Sequence, residues 1–223
     1  MMRPFFSQVS RVNQVGVLPP KWRMTILAVG LCSALCLTLL AGPLLAQRDA
    51  RVLQRNLSEL VNDSATIVLG RVTSVKSEPH PQFQNIQTIV LTLQVAEVWK
   101  GQAGSTLTIR MFVNNPLDYK EKLGYSGDQD MLLMLTKVSD IGMCSPAGLE
   151  QGRFRVLTDA QGNRTLVNGM GNAGLMFRMD KTAPNLGKQL TDVSARQAVA
   201  QPRPGPIPFA QFKQIVETLV ANP

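Results

Sequence analysis

Apolar and polar side chains alternate most regularly from Ile86 to Trp99 and again from Ser105 to Val113. A period of two residues is typical of β-strands that pack one face on a core and leave the other face wet. Gly101 and Gly104 lie between the two stretches and favour a turn. The pattern therefore predicts an antiparallel hairpin. The side chains expected to point inward are Ile89, Leu91, Leu93, Val95, Leu107, Ile109, Met111 and Val113.

Three further stretches predict strands. Residues 65–75 are rich in β-branched side chains, and Gly70 in their interior suggests a bulge or a sharp bend. Met131 to Leu135 is apolar on both faces, which favours a strand buried on both sides. Residues 153–157 and 164–168 predict a last hairpin, with Phe154 and Val156 inward.

Helical spacing of apolar residues occurs near both ends of this strand-rich region. Residues 51–62 place Leu53, Leu57, Leu60 and Val61 on one stripe of a short helix. Residues 209–221 predict an amphipathic helix whose apolar stripe is expected to dock on the core. That stripe contains Phe209, Phe212, Val216, Leu219 and Val220.

Together these elements predict an α+β fold that is mainly β. We expect a small antiparallel, OB-like barrel or a curled sheet, with a short helix before it and an amphipathic helix at the C-terminus. Closure into a barrel is favoured because it removes the exposed edges that such apolar strands would otherwise present.

A charge-free apolar run of 23 residues, Met24 to Ala46, follows a segment with basic residues and no acid. This pattern predicts a signal peptide or an uncleaved N-terminal membrane anchor over residues 1–46. Either one places the rest of the chain outside the cytoplasm, in the periplasm or the medium. The remaining chain divides into a β-barrel-like domain (47–180), a flexible Pro-rich linker (181–208) and the C-terminal helix (209–223).

Composition narrows the function classes. Beyond residue 46 there are 19 basic and 15 acidic residues, and they are scattered, so a nucleic-acid partner is not expected. Cys144 is the one cysteine of that part, which excludes an internal disulfide there. With one histidine besides, a structural zinc site cannot be completed.

Four sequence segments carry a resemblance: Val72 with its preceding Gly-Arg, residues 95–101, residues 127–135 and residues 151–156. Over residues 62–177 the chain is similar to uncharacterised secreted bacterial proteins with a small β-barrel body. That group in turn resembles the OB-fold class of tissue inhibitors of metalloproteinases and netrin-like domains. The resemblance implies an OB-like fold and protein binding outside the cell. Inhibitors of that class use an N-terminal cysteine that this chain lacks, so their mechanism carries over to no residue here.

Motifs that could carry chemistry each favour a simpler interpretation. Gly169 to Gly174 has the glycine spacing of a dinucleotide fingerprint, but the apolar, β-like run 175–179 follows it, so a glycine-rich turn is expected. Cys144 and His80 could in principle form a nucleophile and a base, yet His80 stands between two prolines and is expected to be a solvated loop residue. We predict no catalytic residues and no cofactor.

The polar stretch from Asn114 to Asp130 is the predicted contact surface, because long loops with aromatic side chains often bind partners. Its candidate contact residues are Tyr119, Tyr125, Asp128 and Asp130. Its carboxylates, including Asp118 and Glu121, stand beside two lysines, so a solvated charged loop is expected rather than a calcium or other metal site.

The leading hypothesis is an exported, non-enzymatic binding module for another protein or an envelope component. Two alternatives stay open: an extracytoplasmic hydrolase with an unrecognised site, and a membrane-tethered structural subunit. Contact with a membrane is expected only through the N-terminal segment, if that segment is not cleaved.

Overall fold

One antiparallel sheet organises the part of the chain that the computed structural model describes, residues 53–113 and 125–222. Its strands are β1 (Thr66–Pro79), β2 (Gln87–Lys100), β3 (Thr106–Phe112), β4 (Asp130–Leu135), β5 (Arg153–Thr158), β6 (Arg164–Asn168) and β7 (Ile207–Pro208). Within those residues the strand order is β3-β2-β1-β4-β5-β6-β7. The predicted α+β, mainly β fold is confirmed. The favoured closure into a barrel is wrong, because the curled sheet is open, with β3 at one edge and the short β7 at the other.

Both predicted hairpins are present. β2 pairs with β3, with Leu91 opposite Ile109, and β5 pairs with β6, with Val156 opposite Leu166. β1 extends further than expected, to Pro79, because its pairing with β2 continues from Ile67 to Pro79. The register of that pairing shifts between Leu69 and Gly70, which confirms the predicted irregularity at the glycine.

The sheet separates two apolar clusters, and β4 contributes to both. Leu132 and Met134 face a cluster built with the helices, while Met131, Leu133 and Leu135 face a cluster built by strands and loops. All five side chains are buried. This confirms that β4 is a strand covered on both faces.

The first helix, α1 (Leu57–Asp63), is shorter than the predicted helix over 51–62. Asn56 caps the N-terminus of this helix. Its side-chain oxygen accepts from the Glu59 amide, and the Glu59 carboxylate accepts from the Asn56 amide at 2.8 Å. This reciprocal capping box satisfies two amides that a helix leaves free at its start. Leu53 therefore lies outside the helix and is exposed.

The segment predicted as a flexible Pro-rich linker, 181–208, contains regular structure instead. Its helices are α3 (Leu186–Gln189) and α4 (Val193–Ala200), it takes in the end of α2 (Met179–Thr182), and it closes with β7. Its buried side chains, which join the core on the helix side of the sheet, are Leu186, Leu190, Ala195 and Ile207. The prediction was wrong because prolines 202–208 dominated the pattern, whereas these apolar residues are too widely spaced to show a period.

The C-terminal helix, α5 (Phe209–Ala221), begins and ends close to the predicted bounds. Phe212, Ile215, Val216 and Leu219 are buried against the sheet and the other helices. Its apolar stripe is therefore core.

The glycine-rich segment 169–174 forms successive turns, as expected, and two asparagines hold it. Asn168 and Asn172 exchange hydrogen bonds between each backbone amide and the other residue's side-chain oxygen, at 2.9 and 2.8 Å. The run 175–179 was expected to be β-like, but it continues these turns into α2, and its residues Leu175, Met176 and Met179 are buried.

Among residues 53–113 and 125–222, no helix has both the length and the apolar character needed to cross a bilayer. The predicted signal peptide or anchor over 1–46 lies outside the described residues.

Candidate functional site

The loop predicted to contact a partner does not present its described aromatic residue to solvent. Tyr125 is buried in the strand-side cluster, where its hydroxyl lies 3.6 Å from the Met111 sulfur. The Arg153 guanidinium lies 4.7 Å from the centre of its ring, and Arg153 in turn pairs with Glu150. Burial raises the pKa of Tyr125 above its usual value. Tyr125 is thus a core residue, and Tyr119 lies outside the described residues.

The two aspartates of the same prediction have different environments. Asp128 is exposed in a turn with a φ of 61°, and its amide donates to the Val72 carbonyl at 2.8 Å. Asp130 begins β4 and accepts two hydrogen bonds from Arg71 of β1, at 2.8 and 3.0 Å. The hydrogen bond and charge of Arg71 lower the pKa of the Asp130 carboxyl.

Asp130 belongs to a depression of about 500 Å³ on the sheet, here called the charged groove. Its lining residues are Leu69, Gly70, Arg71, Gln94, Val95, Ala96, Glu97, Asp130, Thr158 and Arg164. They come from β1 and β2 on one side, from β5 and β6 on the other, and from the start of β4.

Gly70 shapes the floor of the charged groove. A Cβ atom at this position would lie 2.6 Å from the Gln94 carbonyl oxygen, closer than real Cβ atoms come. The absence of a side chain lets β1 and β2 approach at the irregularity in their pairing. A glycine is therefore required where the strands bend around the groove.

Glu97 connects the groove to the C-terminal helix. Its carboxylate accepts from Lys213 Nζ at 2.6 Å and from Trp99 Nε1 at 2.9 Å. The Lys213 hydrogen bond is the main cause that lowers the pKa of Glu97, and the same contact raises the pKa of Lys213. Glu97 is held as a carboxylate on the groove wall.

Arg164 forms the opposite wall. Its guanidinium stacks on the Phe209 ring at 3.8 Å from the centroid, and within the described residues it makes no salt bridge. Its charge nevertheless lowers the pKa values of both Asp130 and Glu97. The stacking orients the guanidinium, and its five N–H groups are donors only.

The groove thus carries both signs of charge, in Arg71, Asp130, Glu97 and Arg164. Each carboxylate has a cationic partner and a lowered pKa, so both are ionised at neutral pH. A general acid at that pH needs a raised carboxyl pKa instead. Such an arrangement suits recognition of charged groups better than proton transfer.

His80 is buried, although it was expected to be a solvated loop residue. Its Nδ1 accepts from the amides of Gln82 and Phe83 at 3.2 Å, so the hydrogen bond of its Nε2 to the Ile141 carbonyl, at 2.8 Å, is a donated one. Both ring nitrogens are used in holding two loops together.

Cys144 is also buried, and burial raises the pKa of its thiol, which disfavours the thiolate that a nucleophile requires. Within residues 53–113 and 125–222, no group of three or more acidic, histidine or cysteine residues could hold a metal ion.

Sequence reasoning identified Asp130 but missed Arg71, Glu97 and Arg164. Each lies two positions from a buried side chain of the helix-side core, namely Leu69, Trp99 and Leu166 respectively, so the local pattern gives it no distinct role. Their approach to one another depends on contacts between residues 59 positions apart for Arg71 and Asp130 and 116 positions apart for Glu97 and Lys213. The glycine at position 70 was the one local signal near the groove.

Comparison of the chain with family models, with curated proteins and with solved structures gave no match.

Proposed function

We propose that this protein is an exported, non-enzymatic binding module, and that its charged groove binds a segment of another protein or of an envelope component. The observation that carries the proposal is the groove itself, in which cations and ionised carboxylates alternate around a depression of about 500 Å³.

The charges of the groove indicate which kind of partner segment it would bind. Arg164 offers N–H donors that no described carboxylate occupies at salt-bridge distance, so it suits a carboxylate or another anionic group of the partner. Asp130 and Glu97 provide negative charge nearby for a cationic group. A polypeptide segment that carries both signs of charge matches this arrangement, and complementary charges favour specificity.

The hydrolase alternative requires a concave site with titratable residues, and the groove supplies the concavity. Among the described residues that line the groove, however, Thr158 alone has a hydroxyl that could act as a nucleophile. The two carboxylates that could act as its base, Asp130 and Glu97, already pair with cations. An activated nucleophile needs a neighbouring base that can take its proton. The groove chemistry therefore supports binding more than hydrolysis.

The export part of the proposal rests on the sequence. The run from Met24 to Ala46, with basic residues before it, has the features of a segment that directs the following chain across a membrane.

Crosslinking in the native envelope tests the groove. A photoreactive amino acid replaces Thr158 or Gln94, which are exposed and line the groove, in the full chain. We expect both positions to give the same adduct by mass spectrometry, and we expect Arg164→Gln to abolish that adduct because it removes the cation that no described carboxylate engages.

The matched controls use Arg155, which is exposed on β5 but does not line the groove. A photoreactive residue there should give no such adduct, and Arg155→Gln should leave the groove adduct unchanged. If the adduct survived Arg164→Gln, or formed equally from position 155, the groove would not be the binding site.

A further inference from the structure

Four large apolar side chains are exposed on the segments that surround the start of the described chain. Leu53 is 79% exposed, Leu149 is 52%, Met170 is 58% and Phe177 is 56%. Together they are here called the apolar rim. Isolated exposed apolar residues are ordinary, but several on adjoining segments mark an interaction surface.

Hydrogen bonds bring these segments together. Gln151 Nε2 donates to the Leu53 carbonyl at 3.0 Å, and the Gly169 amide donates to the Glu150 carbonyl at 3.1 Å. Those two contacts place the neighbourhoods of Leu53, Leu149 and Met170 side by side.

Phe177 joins them through residues 54–56. Gln54 Nε2 donates to the Ala173 carbonyl at 3.0 Å, and Asn56 Nδ2 donates to the Phe177 carbonyl at 3.0 Å. The apolar rim is therefore one neighbourhood of the fold, gathered around residues 53–56.

Basic residues accompany the apolar rim. The Arg178 guanidinium lies 5.1 Å from the centre of the Phe177 ring, and Lys181 is exposed one turn further on. The neighbouring acids are Asp180, Glu150, which pairs with Arg153, and Glu59, which accepts from the Asn56 amide. Apolar side chains flanked by cations are the combination that binds at an anionic lipid surface.

The short distance along the chain between the apolar run 24–46 and Leu53 also favours a lipid surface as the partner. Six residues, 47–52, separate Ala46 at the end of the apolar run from Leu53, and they include two arginines and one aspartate. An extended chain covers at most ~3.3–3.6 Å per residue, so six residues reach about 20 Å. If the run is retained in a membrane, this length limits how far Leu53 can lie from the end of the run.

We infer that the apolar rim rests on the surface of an anionic bilayer, with Leu53, Leu149, Met170 and Phe177 at the headgroup boundary and Arg178 and Lys181 against lipid phosphates. This goes beyond the proposed function, since the rim shares no lining residue with the charged groove. It also orients the body, because the face that meets the lipid is then defined.

The test places an environment-sensitive fluorescent amino acid at position 53 or 170 in the full chain. The protein is reconstituted into vesicles of phosphatidylcholine and phosphatidylglycerol, some of which contain brominated acyl chains. We expect a blue shift relative to detergent and a loss of intensity with the brominated lipid at both positions. Because these side chains are exposed, the replacements leave the core intact.

Phe112 is the matched control for position 170, since it is exposed to nearly the same degree as Met170, 57%, and lies on the edge strand β3. The probe there should show neither change. Equal changes at positions 53, 170 and 112, or none at 53 and 170, would overturn the inference.

The requirement for anionic lipid is tested separately. Pure phosphatidylcholine vesicles, or the double variant R178Q/K181Q, should reduce the shift at position 170. A shift that did not depend on phosphatidylglycerol would contradict the role of the two cations. Groove crosslinking from position 158 should be unaffected by R178Q/K181Q. A failure of the lipid inference can therefore be told apart from a failure of the proposed function.

Discussion

The guanidinium of Arg164 stacks on the ring of Phe209, 3.8 Å from its centroid. This contact joins the sheet to the start of the C-terminal helix beside the charged groove. A cation over an aromatic face is stabilised by about 0.5–1 kcal/mol at an exposed site. The stack therefore positions the guanidinium before any ligand arrives. Helix docking and groove geometry are coupled through these two residues.

Gly70→Ala should destabilise the fold. The added Cβ would meet the Gln94 carbonyl oxygen at 2.6 Å, and both strands are held by their pairing. Forcing atoms into such a packed place costs about 1–3 kcal/mol. Urea denaturation of the two proteins measures the difference. Gly187→Ala is the control, because a Cβ there meets nothing within 4 Å, and it should be neutral or slightly stabilising.

Phe212→Ala should cost about 3–5 kcal/mol in the free energy of unfolding. Phe212 is fully buried, with its ring 4.9 Å from that of Phe154 and 6.4 Å from that of Trp99. Chemical denaturation tests this value, with the exposed Val193→Ala as control. A loss below about 1 kcal/mol would mean that the helix does not depend on this contact.

Acid should weaken the fold through Asp130. Its folded-state pKa is lowered by Arg71, so its contribution to stability is complete above the unfolded-state pKa, near 4, and is lost as pH falls through the lower folded-state value. Asp130→Asn should remove that part of the pH dependence. Denaturation curves at a series of pH values between neutral and acid compare the two proteins, and parallel pH profiles would refute the assignment.

Cys144 should react slowly with thiol reagents in the folded protein, because it is buried and burial raises its pKa. In a chain with Cys32→Ser and Cys36→Ser, a chromogenic disulfide reagent should modify Cys144 rapidly only after denaturant is added. Fast modification of the folded protein would show that the thiol is accessible, and a dimer on a non-reducing gel would show that it pairs with another chain.

A reporter tests the compartment. Alkaline phosphatase fused after residue 223 should be active, since it requires disulfides that form outside the cytoplasm. Deleting residues 24–46 should abolish that activity, because the segment predicted to direct export is lost. Activity that persists without the run would contradict the predicted leader.

Local patterns predicted the sheet well where one face is apolar. Two periodic patterns predicted burial correctly: the alternation at Ile89, Leu91 and Leu93, and the helical stripe through Phe212 and Val216. All five side chains are buried. Patterns failed where burial comes from a distant segment. His80, between two prolines, is covered by the loop that carries Ile141, 61 positions away.

The candidate site shows the same division. The sequence by itself determined strands β1 to β6, the bend at Gly70, the two flanking helices and the presence of a single cysteine beyond residue 46, because each depends on the period or type of neighbouring residues. Only the tertiary structure decided that Tyr125 is core, and that Arg71, Asp130, Glu97 and Arg164 meet in one groove. The positions of these four charged residues follow no period, so the curl of the sheet, which no short stretch encodes, decides that they become neighbours.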